Sequence, residues 1–90
     1  NKTLVFFHDE SSAYSKKLQP VWENFTDSCK TDMTLIKISR YSSEGDKWLK
    51  KYDVQGFPTI MLLDASNKKV DEFEGPRTKR ALCKYVQQNG

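Results

Sequence analysis

Short apolar runs rich in β-branched and aromatic residues alternate with segments whose apolar residues recur at helical spacing. The first run, residues 3–7, contains no charged side chain, which is typical of a strand buried on both faces. The segment after it places Leu18, Trp22 and Phe25 on one face of a helix. Strands buried on both faces need helices above and below the sheet. This alternation therefore predicts an α/β fold.

The elements follow one another in the order βαβαββα. The predicted strands are 3–7, 33–38, 59–63 and 70–73, and the predicted helices are 13–30, a segment from 42 or 43 to 52, and a closing helix around 82–86. Strands separated by helices need parallel neighbours, whereas the last two strands, joined by a short polar turn, form an antiparallel hairpin. The prediction is a central, mixed, four-stranded sheet flanked by helices.

Length and charge narrow the class of protein. Ninety residues suit a single domain spanning 1–90, and the abrupt start at a strand suggests a domain excised from a longer protein. The 15 basic and 12 acidic residues are scattered rather than concentrated on one element, so nucleic-acid binding is not expected. No stretch approaches the roughly 20 apolar residues of a membrane span. Any membrane contact is expected through segments outside this chain.

Cysteine and histidine are too sparse for a metal site. Cys29 and Cys83 lie far apart and have no metal-ligand spacing around His8, the only histidine. Two interpretations of the cysteines stay open: half-buried helix residues, or a structural disulfide, which would need an oxidising compartment. His8 ends a predicted strand and is expected to be a half-exposed polar contact rather than a catalyst.

Three segments in fixed order carry a family resemblance. They are the strand 4–7 followed by Ser-Ala-Tyr-Ser-Lys-Lys-Leu-Gln-Pro at 12–20, Tyr-Asp-Val-Gln-Gly-Phe-Pro-Thr at 52–59, and Phe-Glu-Gly-Pro-Arg-Thr-Lys at 73–79. Together they resemble the thioredoxin-fold domains of the protein disulfide isomerase family, including its transmembrane thioredoxin-related members. In that family the first segment reads Cys-X-X-Cys-Lys-Lys-Leu-X-Pro. Serines therefore stand where two redox cysteines are expected.

The resemblance implies catalytic roles for four positions. Ser12 marks the nucleophilic cysteine and Ser15 the resolving cysteine, and Arg77 matches an arginine that lowers the pKa of the second cysteine. Lys37 matches a basic residue beneath the site. Position 12 also suits a thiolate on physical grounds, because the free N–H groups and the positive dipole end of a helix N-terminus lower a thiol pKa. No cofactor is required.

The resemblance also implies a substrate-binding surface. Pro58 would follow a cis peptide bond, and the backbone beside it would pair with an extended polypeptide in the manner of an added strand. Ala13, Tyr14 and Phe57 would line the same surface. The expected partners are unfolded or cysteine-containing proteins, presented as extended segments.

A serine hydroxyl cannot replace a thiolate in disulfide exchange, so the chain as it stands is expected to be redox-inactive. In one explanation the natural protein has both cysteines and they were deliberately replaced; in the other, the lineage lost them and keeps the fold to bind extended peptides or a partner protein. We favour the first, because both positions carry the closest steric mimic. Departures from the family pattern at Phe6, Ser11 and Tyr14 fit a weakened or unusual redox centre.

The expected compartment follows from the resemblance. Disulfide isomerase-like domains imply the lumen of the endoplasmic reticulum, and two Asn-X-Thr sequons, at 1–3 and 24–26, favour a secretory route. The cytosol and the bacterial periplasm stay open as alternatives.

Overall fold

The computed structural model describes all residues from 1 to 90. Its elements are β1 (Thr3–His8), α1 (Ala13–Ser28), β2 (Thr34–Ser39), α2 (Ser43–Lys51), β3 (Thr59–Leu63), β4 (Lys69–Glu72) and α3 (Lys79–Asn89). The strands form one sheet in the order β2-β1-β3-β4. β1 runs parallel to β2, and β3 runs antiparallel to β1 and β4. The predicted α/β class, element order and mixed four-stranded sheet are confirmed.

Strand β1 is buried on both faces, as its apolar run predicts. Leu4, Val5, Phe6 and Phe7 are each 0% exposed. Because successive side chains of a strand point to opposite faces, these four residues supply two separate cores. Leu4 and Phe6 pack with apolar residues of α1 and α3, and Val5 and Phe7 pack beneath α2. The helices therefore cover the sheet from both sides.

Helix α1 ends two residues earlier than predicted, at Ser28. Cys29 caps the helix in an extended conformation (φ −86°, ψ 125°), and its backbone N–H donates to the Phe25 carbonyl oxygen at 2.9 Å. Cys29 and Cys83 form a disulfide with their Cα atoms 5.6 Å apart. Of the two interpretations left open by the sequence, the structure therefore has the disulfide, which joins the end of α1 to α3.

Strand β4 differs from its prediction in bounds and in burial. It lies one residue earlier than 70–73, and an irregularity in the β3–β4 register falls between Leu62 and Leu63. All four of its residues are exposed, Val70 by 51%, because β4 lies at the edge of the sheet. Helix α3 reaches the strand through the Tyr85 hydroxyl, which donates to Asp71 Oδ2 at 2.6 Å. Phe73, beyond the strand end, packs its ring edge-on against Tyr85 of α3 at 5.1 Å.

Helix α2 begins in close contact with the end of β2. Ser42 caps the helix, and its Oγ accepts the Gly45 N–H at 2.9 Å. Gly45 is buried, and a Cβ atom built on it would overlap the carbonyl oxygen of Ser39. A side chain is therefore excluded here by close backbone approach. None of the three helices has the length and apolar character needed to cross a membrane.

Replacing Gly45 with alanine should destabilise the protein. We expect Gly45→Ala to lower the free energy of unfolding by about 1–3 kcal/mol in urea titrations, since the new methyl group forces backbone to move. Gly56→Ala is the matched control, because a Cβ there meets nothing within 4 Å. This change should be neutral, or should stabilise the protein by up to about 1 kcal/mol, because alanine lowers the conformational entropy of the unfolded chain. Equal stabilities of the two variants would contradict the close approach.

Breaking the disulfide should also destabilise the fold. Reduction, or the double change Cys29→Ala and Cys83→Ala, releases a long loop in the unfolded chain and should cost about 2–4 kcal/mol of unfolding free energy. The measurement is urea unfolding with and without dithiothreitol. The double alanine variant should not respond to the reductant, and an unmodified protein that also ignores it would show that the bond contributes nothing to stability.

Candidate functional site

The candidate site lies at the edge of the sheet where β1 and β2 end and β3 begins. His8 pairs with Ser39 at the end of the parallel strands, and Phe7 pairs with Thr59 at the start of β3. Three connecting segments therefore meet here: the one that follows β1, the one that follows β2, and the turn that precedes β3. The predicted site residues Ser12 and Pro58 lie on the first and last of these segments.

The two serines differ in exposure. Ser12 is partly exposed and caps α1, and its Oγ accepts the Ser15 N–H at 3.5 Å. Ser15 is 1% exposed, and its Oγ accepts the backbone N–H of Asp9 at 3.2 Å. No acidic residue lies in the first turn of α1 to offset the positive end of the helix. Position 12 can therefore be reached from solvent, whereas position 15 cannot.

The predicted substrate-binding residues lie on the segment that follows Ser12 and on the turn that precedes β3. Ala13 and Tyr14 are exposed, Tyr14 by 66%, while Phe57 and Pro58 are partly buried. The Phe57–Pro58 peptide bond is cis. Arg77 lines two clefts, one of about 340 Å³ shared with Pro58 and one of about 220 Å³ shared with Tyr14. Arg77 therefore lies between the segment after Ser12 and the turn at Pro58.

Lys37 makes its contact along α1 rather than at the serines. It lies on β2 opposite Phe6, and its Nζ is 3.4 Å from a carboxylate oxygen of Glu23, about two helical turns beyond Ser15. Tyr14 and the Pro58 turn thus both lie beside Arg77, whereas Lys37 forms its ion pair with Glu23.

His8 is buried, so the expectation of a half-exposed contact is wrong. It is 5% exposed because its ring packs against Phe6, with centroids 5.4 Å apart, at the covered end of β1. Its Nδ1 is 3.6 Å from a carboxylate oxygen of Glu10. Burial lowers the pKa of His8, Lys37 lowers it further, and Glu10 and Asp9 oppose the shift. His8 is therefore neutral near pH 7.

A polar cluster that sequence reasoning missed joins the segments after β1 and β2. Asp9 accepts hydrogen bonds at Oδ1 from the Ser11 N–H (2.8 Å) and Oγ (2.6 Å), and at Oδ2 from Arg40 Nη1 (3.0 Å). Ser11 Oγ also lies 3.0 Å from the Tyr41 hydroxyl. The hydrogen bonds from Ser11, followed by the one from Arg40, lower the pKa of Asp9 to about 2. Asp9 is therefore a carboxylate throughout the physiological pH range.

One signal in the sequence could have revealed this cluster. Asp9 and Arg40 are the first residues after two apolar strands, and they carry opposite charges. Since parallel neighbouring strands end at the same edge of the sheet, the first residues after them lie close together. No group of three or more His, Cys, Asp and Glu side chains is arranged to hold a metal ion.

The fold and the site geometry together define a thioredoxin-fold domain. The chain matches the thioredoxin family model over residues 1–88 and belongs to the thioredoxin family. It is 31% identical over 87 residues to a probable protein disulfide-isomerase A6 of Medicago sativa, covering 97% of this chain and 24% of the relative. It is 27% identical over 86 residues to a protein disulfide-isomerase of Ricinus communis, covering 92% and 17%. The chain thus spans a quarter or less of these curated relatives.

Solved structures agree with this fold. The first two thioredoxin domains of Naumovozyma dairenensis Eps1p match with a TM-score of 0.85 and 24% identity, over 97% of this chain and 34% of theirs. The zinc-bound form of human ERp44 matches with a TM-score of 0.82 and 20% identity, over 97% of this chain and 26% of its own. At these identities the match supports the fold alone.

Replacing Asp9 with asparagine should make stability less sensitive to acid. Its folded pKa of about 2 lies below the ordinary value of 3.8. As the pH falls below about 5, the unfolded chain begins to bind a proton at Asp9 while the folded protein keeps this carboxylate charged. The stabilisation that the charged Asp9 gives above about pH 5 is therefore lost as the pH falls toward about 2. We expect the urea midpoint of the unmodified protein to fall more steeply in this range than that of Asp9→Asn.

The control for this prediction is Asp27→Asn, which removes a charge of the same sign from an exposed position on α1. It should keep the steep acid dependence of the unmodified protein. Equal slopes for Asp9→Asn and Asp27→Asn would show that Asp9 does not link folding to pH.

Proposed function

We propose that this chain is a disulfide isomerase-like domain whose parent form, with cysteine at positions 12 and 15, exchanges disulfides with protein cysteines. As it stands, with Ser12 and Ser15, the chain binds extended polypeptide segments without covalent chemistry. The observation that carries the proposal is the contrast between the two positions, because one side chain is open to solvent and the other is buried beside it on the same helical turn.

The chemistry of the parent form would use this contrast. A thiolate at position 12 attacks one sulfur of a substrate disulfide, forms a mixed disulfide and releases the other substrate sulfur as a thiolate. The thiolate at position 15 then attacks the sulfur at position 12, which frees the reduced substrate and leaves a 12–15 disulfide. The buried position is shielded from external disulfides but lies within reach of its neighbour. In our proposal, Arg77 supplies a positive charge near the groove that favours thiolate.

Binding would use the turn at Pro58. The carbonyl and N–H groups beside that residue would pair with an extended substrate segment, while Ala13, Tyr14 and Phe57 contact its side chains. The similarity to protein disulfide isomerases supports cysteine-containing or unfolded proteins as substrates. The same similarity supports the lumen of the endoplasmic reticulum, and so does the Cys29–Cys83 disulfide, which needs an oxidising compartment.

The direct test restores both sulfurs by the double change Ser12→Cys and Ser15→Cys. We expect an internal disulfide and catalysed reduction of insulin, measured by turbidity with dithiothreitol as the reductant. Each single change is a matched control. Ser12→Cys alone should be alkylated rapidly by iodoacetamide and Ser15→Cys alone slowly, by a factor of about ten or more, because only the first position is open to solvent.

Two results would overturn the oxidoreductase proposal. The first is a double variant that is folded but forms no 12–15 disulfide and reduces no insulin. The second is equal alkylation of the two single variants, which would remove the observation on which the proposal rests.

The second candidate function is a naturally redox-inactive binding domain. The serines themselves favour it, together with two exposed aromatic side chains: Tyr14, two residues after Ser12, and Tyr41, whose hydroxyl contacts Ser11. Under this alternative the lineage lost both cysteines and retained the groove to hold extended peptides or a partner protein. A double cysteine variant that lacks activity but keeps peptide affinity would favour it.

A further inference from the structure

Two contacts fix the position of Arg40, the first residue after β2. Its backbone N–H donates to the His8 carbonyl oxygen at 2.9 Å and so extends the pairing of the two parallel strands. Its Nη1 donates at 3.0 Å to Asp9, whose side chain is only 8% exposed. Because both ends of this long side chain are held, little further conformational freedom is lost when a ligand binds it.

Most hydrogen-bonding capacity of this guanidinium is unused. An arginine side chain carries five N–H donors, and Asp9 accepts the one side-chain hydrogen bond that Arg40 makes within the protein. The Arg40 side chain is 50% exposed. Its remaining donors are therefore available to a ligand at the rim of the groove.

Aromatic rings flank the same guanidinium. Its central carbon lies 5.3 Å from the ring centroid of Phe57 and 5.9 Å from that of Tyr41. Phe57 directly precedes Pro58, so the guanidinium lies about one residue away from the turn that would hold a substrate backbone. Apolar rings keep water away from part of the charge, which strengthens a charged hydrogen bond formed beside them.

The ion pair with Asp9 does not prevent a second carboxylate from binding to Arg40. Asp9 is turned inward and receives two of its three hydrogen bonds from Ser11. Arg40 uses a single nitrogen for Asp9, and the planar fork leaves other N–H groups that suit the two oxygens of another carboxylate. One arginine can therefore bridge the buried acid and an acid on a ligand.

We propose that Arg40 is a specificity-determining residue that selects extended polypeptide segments carrying a carboxylate side chain next to the stretch held at Pro58. The inference rests on the proposed function, since it needs a peptide in that groove. It adds a chemical preference to the site: acidic segments bind in preference to neutral segments of the same shape.

The experiment uses the unmodified chain and labelled nonapeptides of valine and threonine. Each peptide carries one glutamate, placed at a different position, and a second set carries glutamine instead. Fluorescence anisotropy gives the affinities. We expect one glutamate position to bind about five- to tenfold more tightly than its glutamine partner. In Arg40→Met the ratio should fall to about one.

Two further variants serve as controls for the charge of Arg40 and for its position. Arg40→Lys preserves a positive charge next to Asp9 but lacks the fork, and it should show an intermediate preference even if Arg40→Met folds poorly. Lys68→Met removes the same charge from the exposed β3–β4 turn at the opposite end of the sheet and should leave the preference unchanged.

The outcomes separate this inference from the proposed function. If glutamate and glutamine peptides bind equally, or if the preference survives in Arg40→Met, Arg40 does not select acidic segments, while peptide binding itself stands. If no peptide of either set binds the chain, the non-covalent binding role fails and this inference fails with it.

Discussion

The rest of the structure depends on the burial of β1. This strand has neighbours along both of its edges and helices over both of its faces. Leu4 and Phe6 belong to one apolar cluster, and Val5 and Phe7 belong to the other. Burying one large apolar side chain contributes roughly 1.5–3 kcal/mol, and a domain of this size has only a few such contributions to spare. The site begins directly where this strand ends. Its connecting segments therefore start from a strand that is paired along both edges and covered on both faces, and side chains that follow such a rigid element are held in well-defined positions.

Much of this architecture could be predicted because burial leaves a local pattern. The continuous apolar runs of β1 and β3 show strands covered on both sides, and Ser12 marks the beginning of α1 because its hydroxyl can accept a backbone N–H of the first turn. The exposure of β4 could not be predicted in the same way. Its alternation of Val70 with charged residues describes a strand with one covered face, and only the assembled sheet shows that α3 reaches that edge through Tyr85 without burying the strand. The disulfide is similar, because its formation depends on where α1 and α3 pack rather than on the residues near either cysteine.

The candidate site also contains residues that a local sequence pattern indicates and residues that only the tertiary structure reveals. Ser12, Ser15, Pro58 and Arg77 lie in segments with a family pattern, so the sequence could indicate them before any geometry was known. Asp9 and Arg40 lie outside those patterns, and neither residue by itself indicates a site in the sequence. Their relation comes from the parallel pairing of β1 with β2, which brings together residues separated by a whole helix in the chain. Likewise, His8 looks like an ordinary strand-end residue until the packing of its ring against Phe6 shows that it is enclosed.

The exposed strand β4 has a consequence for the behaviour of the domain in concentrated solution. The outer edge of a sheet presents unpaired N–H and C=O groups, to which a strand of a second molecule can add. Val70 is the single apolar residue of β4, and Lys69, Asp71 and Glu72 surround it with charges of both signs. A second copy aligned along this edge would have to bring those charges together and desolvate them. The charged composition of β4 therefore discourages intermolecular sheet growth, which would draw the domain into aggregates.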